Sequence, residues 1–198
     1  MEDKQSFITE ARREQIIKAA IEVLKEIGYV NTSLAKIARK ANISTGLISY
    51  HFSGKEDLMN NTLIYLIEQE WLFVNKRVAQ QSTWTEKLIA FIEANLAYQV
   101  LNLANSIALI EIVFNARTSD QIPYYLLEDD EEDLKASLLK EILFKGQETN
   151  EFGGDFNPEV VSTIIQGAIS ETMLSPQNKH SHEEYSLELT KGVLKIVK

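Results

Sequence analysis

Ile37-Ala38-Arg39-Lys40-Ala41-Asn42-Ile43-Ser44-Thr45-Gly46-Leu47-Ile48-Ser49-Tyr50-His51-Phe52 is the stretch whose reading decides the fold. Thr32 and Ser33 offer a helix start ahead of Leu34, Ile37 and Ala38, and this short helix ends near Lys40 and Ala41. Asn42-Ile43-Ser44 is a three-residue break, and a second short helix follows at once, from about Ser44 to His51. Two short helices joined by so brief a turn form a helix-turn-helix, in which the first helix braces the second and the second enters the major groove of DNA. Ala35, Ala38, Ala41 and Gly46 are small enough to let the two helices approach closely. Ile37, Ile43 and either Leu47 or Ile48 fill the space between them and a preceding helix. Ser44 and Thr45 are then left free to reach base edges or phosphates.

Working outward, nearly every other segment carries helical period. Ile16, Ala20, Val23, Leu24 and Ile27 form one stripe on a helix from about Thr9 to Ile27, with Gly28 where a C-terminal cap belongs. Ser53 and Glu56 have the spacing of a capping box and open a long helix to about Gln80. Thr83 and Glu86 repeat that spacing before a helix to about Leu103, and an apolar stretch runs from Ser106 to Phe114. Pro123 marks the start of a helix to about Lys145, and Gly146 to Phe156 reads as a loop. Asn157-Pro158-Glu159 starts a helix that ends before Pro176, and Ser181 with Glu184 caps a last one to about Val197. The expectation is an all-α chain of about nine helices with no strand. A three-helix helix-turn-helix head (residues 1–53) precedes a helical-bundle body (residues 54–198).

Composition narrows the class. Hydrophobic residues at 44% and charged residues at 25% of 198 suit a soluble globular protein and argue against collagen-like, disordered or membrane classes. The absence of cysteine excludes disulfides, thiolate zinc sites and cysteine nucleophiles. No apolar run approaches the ~18 residues of a membrane span. The polar, acidic start Met1-Glu2-Asp3-Lys4-Gln5-Ser6 lacks the form of a signal peptide, so a cytoplasmic location and no membrane partner are expected. Net charge is −9, but residues 1–60 hold nine Lys/Arg against eight Asp/Glu, so the acidity resides in the body. Contact with DNA depends on local charge, and the acidic whole does not veto it.

The signature resembles the TetR family of bacterial transcription regulators. The matching residues are Arg13-Glu14-Gln15-Ile16-Ile17-Lys18-Ala19-Ala20, Gly28-Tyr29, Thr32-Ser33, Ile37-Ala38-Arg39-Lys40-Ala41, Ile43-Ser44-Thr45-Gly46, Tyr50-His51-Phe52 and Lys55-Glu56-Asp57-Leu58. The resemblance covers about residues 9–60; beyond it only helix count and order agree. It implies DNA contact through Ser33 or Leu34, Ser44, Thr45, Gly46, Ser49, Tyr50 and His51, with Lys55 on a phosphate. For Lys55, a lysine at a helix N-terminus is also an anion site in its own right. Thr45 and Ser49 depart from the basic or aromatic residues common in the family, so the operator sequence does not carry over. Tyr50, His51 and Phe52 also admit a packing role. The phrase from Ser44 to Phe52 looks like the choline-responsive branch of the family, which points to a quaternary ammonium effector.

In the resembled family the body binds a small molecule and forms a homodimer. The last two helices are the expected interface, through Ile164, Ile165, Gly167, Ala168, Ile169, Met173, Leu187, Gly192, Leu194 and Val197. Glycine inside a helix costs ~1 kcal/mol, which close helix packing would justify. The candidate pocket lining is Trp71, Phe91, Asn95, Tyr98, Glu111, Phe114 and Tyr125. Glu111 interrupts an almost wholly apolar helix, so it is paired, protonated or faces a polar cavity. Among aromatics it could receive a cation; otherwise it forms a salt bridge, with Arg117 as a candidate partner. The acidic run Glu128 to Asp133 reads as a solvated face with a Glu131–Lys135 pair. His180 and His182, lacking a third ligand, make a poor zinc site. No phosphate-binding glycine loop, HExxH or nucleophile elbow is present, so no catalytic residue, metal or cofactor is expected. The expected function is a DNA-binding regulator, a repressor released from a pseudo-palindromic double-stranded operator by an apolar or cationic small molecule. A DNA-bound architectural or protein-recruiting dimer without an inducer is the alternative.

Overall fold

The structure is a computed structural model that describes residues 2–126, 133–174 and 181–198. Among them are nine α-helices: α1 (Glu2–Asn31), α2 (Leu34–Ala41), α3 (Thr45–His51), α4 (Lys55–Val78), α5 (Trp84–Leu101), α6 (Leu103–Asn115), α7 (Leu134–Glu148), α8 (Pro158–Leu174) and α9 (His182–Val197). Glu128 to Glu132, with the expected Glu131–Lys135 pair, Pro176 and His180 lie outside the described residues. No single helix among the described residues is long and apolar enough to cross a membrane.

The chain divides into two compact units. The first takes residues 1–68 and 103–128, so it contains α1 to α3, the start of α4, and α6. Its core is Ile16, Ala20, Leu24, Ile37, Ile48, Phe52, Leu58, Met59 and Ile112, all at 2% exposure or less. α1 buries both Ile16 and Ile17, and both Ala20 and Ile21, because α2 packs on one side of it and α6 on another. Its stripe does not extend to Ile27, which is exposed. α1 breaks at Gly28 (φ 73°, ψ 170°), a backbone conformation that a Cβ disfavours. Ser33 caps α2 and Ser44 caps α3, each hydroxyl accepting a backbone N–H three residues on. Asn42 takes the left-handed conformation (φ 55°, ψ 48°) that ends α2 and makes the short turn possible.

The second unit takes residues 69–102 and 129–198. α5 is its central helix: Leu88, Phe91, Ile92, Ala94, Leu96 and Tyr98 are all buried. Around them pack Val74 and Val78 of α4, Leu139, Ile142 and Leu143 of α7, Val161, Ile165 and Ile169 of α8, and Val193 and Val197 of α9. The capping boxes at Thr83–Glu86 and Ser181–Glu184 form as spaced. Asn157 caps α8 by accepting the N–H groups of Glu159 and Val160.

Four boundaries differ from the sequence reading. α1 starts at Glu2, not near Thr9. Ser53 does not form a box with Glu56; its N–H is accepted by Asp57, because α4 starts at Lys55. Pro123 opens only a 3-10 turn over Tyr124–Leu126, and α7 starts instead at the cap Asp133. Gly146 lies inside α7, not in the loop, and a Cβ there would sit 2.0 Å from the Phe152 ring.

Candidate nucleic-acid interface

α2 and α3 are two amphipathic helices with opposite duties on their two sides. Ile37, Ala38, Ala41, Ile48 and Phe52 are buried in the first unit. On the other side Ser33, Ser44, Thr45, Gly46, Ser49 and Tyr50 are exposed, Tyr50 at 79%. Tyr50 therefore does not close the core, whereas Phe52 at 2% exposure does. Ala35 and Gly46 are exposed, so they are not the small residues that let the helices meet; Ala38 and Ala41 fill that role. A Cβ added at Gly46 would meet only the Ser44 hydroxyl, at 3.8 Å. No internal contact accounts for the missing side chain.

The exposed hydroxyls are held in place. Ser33 Oγ accepts the Lys36 N–H, Ser44 Oγ accepts the Leu47 N–H at 3.2 Å, and Ser49 donates to the Thr45 carbonyl at 3.2 Å. The Ser33 and Ser44 hydroxyl protons remain for an outside acceptor. Leu34 is half-buried against the core. The edge of one ring in the pair Tyr50–His51 meets the face of the other, with centroids 5.0 Å apart. From Thr32 to Lys55 the chain carries Lys36, Arg39, Lys40 and Lys55 and no acid, although Lys40 is paired with Glu26 of α1.

A polar network fixes how α3 meets α4. The Arg13 guanidinium stacks 4.4 Å from the Phe52 ring centroid, donates to the His51 carbonyl and donates to Asn61 at 2.7 Å. Asn61 in turn donates to Asp57, and Asp57 accepts the Ser53 N–H. Arg13 lies 38 residues from His51, and no local pattern announces this role. Lys55, at the start of α4, donates to the Tyr29 carbonyl at 2.8 Å and lies 4.1 Å from the centre of the Tyr29 ring. Burial pushes its ammonium below the usual lysine value. Its two other N–H donors are not used in that bond.

The seven residues read as a pocket lining fall in different units. Trp71, Phe91, Asn95 and Tyr98 belong to the second, and Glu111, Phe114 and Tyr125 to the first. Phe91 is a core residue at 1% exposure, and Asn95 donates to the Phe91 carbonyl at 2.7 Å. Trp71 is half-buried, and Tyr98 sets its ring against that of Phe73, 5.2 Å away. Phe114 and Tyr125 are about half exposed, with ring centres 5.9 Å apart. Glu111 accepts the Tyr29 N–H at 2.7 Å and an amide N–H of Asn115 at 3.4 Å. Arg117 donates to the Gln121 carbonyl instead.

Of the residues read as a dimer interface, Ile165 and Ile169 are buried by their own chain at 0% and 7%, so their surface is already spent inside the second unit. Val197 is likewise core. Ile164 and Leu187 are half exposed, and a Cβ on Gly167 or Gly192 would meet nothing within 4 Å. Ala168, Met173 and Leu194 are half-buried. Among the described residues no three His, Asp or Glu side chains gather as a metal site would require.

The model of the bacterial regulatory proteins of the tetR family matches residues 16–62. The HTH-type transcriptional regulator BetI of Burkholderia lata is 36% identical over 87 residues, which is 43% of this chain and 45% of that protein. BetI of Paraburkholderia phymatum is 33% identical over 87 residues, 43% of this chain and 44% of that protein. The matched stretch thus spans under half the length of these relatives. Among solved structures, FadR from Bacillus subtilis in complex with stearoyl-CoA superposes with a TM-score of 0.76 at 23% identity, covering 93% of this chain and 99% of that one. A putative TetR-family regulator from Rhodococcus sp. does so with 0.77 at 18% identity, over 94% and 98%. AibR in complex with isovaleryl coenzyme A and operator DNA gives 0.72 at 16%, over 92% and 98%. With the ordered signature from Arg13 to Leu58 and the helix-turn-helix geometry, the match over residues 16–62 shows a tetR-family helix-turn-helix region in the first unit, and the superpositions show that the chain shares its fold with these regulators.

Proposed function

We propose that this chain is a homodimeric, ligand-responsive transcription regulator that represses by occupying a pseudo-palindromic operator and is released by a small molecule. The observation that carries the reading is the outward face of α3. Thr45, Gly46, Ser49 and Tyr50 are exposed there, while Ile48 and Phe52 on the opposite side are buried. Short polar groups at the N-terminal end of a recognition helix reach base edges and phosphates. We assign Thr45 and Gly46 to base edges, and Ser33, Ser44, Tyr50, His51 and Lys55 to the phosphate backbone. Residues 1–53 are the reading head and 54–198 the regulatory body.

Two half-sites about 34 Å apart require two heads. The exposed apolar residues Val160, Ile164 and Leu174 of α8 and Leu187 and Ile196 of α9 supply an interface. The open glycines Gly167 and Gly192 support close helix approach there.

Titration of the purified protein against DNA upstream of its own gene, backed by selection from random sequence, tests the reading. Tight, site-selective, salt-sensitive binding by a dimer is the expected result. Release is then screened with choline, on the resemblance of residues 44–52, and with acyl-coenzyme A thioesters, which FadR and AibR hold in their solved complexes. Site-selective binding that no small molecule reverses would favour the architectural dimer.

A further inference from the structure

The break in α1 has a chemical consequence. In an unbroken helix the Tyr29 N–H would bond to the carbonyl of residue 25. At Gly28 the backbone turns to φ 73° and ψ 170°, which aims that N–H out of the helical ladder. A half-buried N–H without an acceptor is costly. Glu111, 82 residues further along the chain on α6, supplies the acceptor at 2.7 Å. The fit extends to the glycine itself: a Cβ on Gly28 would lie 3.1 Å from the same carboxylate oxygen. The carbonyl of Tyr29 is bonded too, to Lys55 at 2.8 Å, whose ammonium also packs on the Tyr29 ring. The Gly28 carbonyl accepts the Thr32 hydroxyl at 2.7 Å, which fixes the connection into α2. All of these residues belong to the first unit.

We propose that Glu111 is a positioning residue: its carboxylate, seated on the amide exposed by the α1 break, ties α6 through the backbone of Tyr29 to Lys55 at the start of α4. Displacement of α6 then reaches the turn that carries the reading head without any ligand contacting α1 to α3. Glu111 accordingly acts in the transmission. Its regulatory meaning rests on the DNA-binding reading; the tie itself does not.

The test is backbone amide exchange, followed by NMR on the full chain as wild type, Glu111→Ala, Glu111→Gln and Lys55→Met. Loss of a hydrogen bond to a charged acceptor speeds opening by about tenfold or more. Glu111→Ala is expected to accelerate exchange at Tyr29 by that factor and to loosen the first-turn amides of α4, Asp57 to Met59, measurably. Glu111→Gln, which keeps an acceptor without the charge, falls between and serves if the alanine variant does not fold. Coupling is reciprocal, so Lys55→Met must loosen the Tyr29 amide from the other side. Unchanged exchange at Tyr29 in the Glu111 variants overturns the proposal, as does acceleration at Tyr29 with α4 unmoved. These readouts need no DNA, so failure to bind any sequence would sink the functional reading alone. Where DNA does bind, operator affinities of the single and double variants should depart from additivity by more than about twofold, and additivity within that margin overturns the coupling.

Discussion

Gly46→Ala separates a structural glycine from a functional one, because the two readings give opposite signs. Gly46 is the second residue of α3, and its backbone is not in the left-handed region. A methyl group placed there meets only the Ser44 hydroxyl at 3.8 Å, an ordinary contact. Alanine is favoured over glycine within a helix by about 0.5–1 kcal/mol. The position is in the first turn, so the lower end applies. Chains of this length shift by about 2–4 °C per kcal/mol, so the melting temperature should rise by about 1–2 °C. Operator affinity should fall by about tenfold or more, because the methyl occupies space into which the DNA must come. Thermal unfolding and operator titration on one preparation give both signs. A lower melting temperature would mean an unseen internal constraint on Gly46. A raised one with unchanged affinity would refute the placing of this residue against DNA.

Gly146→Ala should destabilise by about 1–3 kcal/mol despite the better helix former, since the new Cβ falls 2.0 Å from the buried Phe152 ring; urea unfolding reads this directly, and a neutral outcome would contradict the packing of that loop. Glu151 is held below the ordinary carboxylate value of 4.5 by accepting the Thr85 and Trp84 N–H groups at the start of α5. Its stabilisation is therefore present above that value and is lost as pH falls through the lower folded value. Glu151→Gln should lower the melting temperature near neutrality and shrink the fall in melting temperature between about pH 6 and about pH 3; an unchanged fall would assign the acid sensitivity to other groups. Lys55→Ala should weaken binding to all sequences and lower the salt slope by about one, whereas Thr45→Ala should change base preference with the slope intact. Altered sequence preference in the lysine variant would remove the phosphate assignment.

Much of the local structure is legible in the sequence where the physics is local. The pairs Thr83–Glu86 and Ser181–Glu184 and the cap at Asn157 depend on groups within three residues of each other, and all form. The helix-turn-helix was legible for the same reason, through Ser33, Asn42 and Ser44. Spacing alone does not suffice even locally, since Ser53 and Glu56 share it without forming a box, and elsewhere a distant partner decides. α8 is apolar on more than one face, and no periodicity says that α5, α7 and α9 cover Ile165 and Ile169 while Ile164 stays exposed. Gly146 reads as a loop residue until Phe152 is seen packed on it. Glu111 stands out in the sequence as a carboxylate in an apolar helix, but its acceptor role follows from a break in α1. Arg13 and Glu151 act across 38 and 67 residues, and nothing beside them in the chain marks them.

The central claim, that the outward face of α3 reads an operator as a dimer, is tested most directly by titrating the purified protein with DNA from upstream of its gene at two salt concentrations. Site-selective binding of two subunits per site, weakening steeply with salt, is the expected result. Equal, weak binding to every sequence, or none to the best products of random-sequence selection, would contradict it.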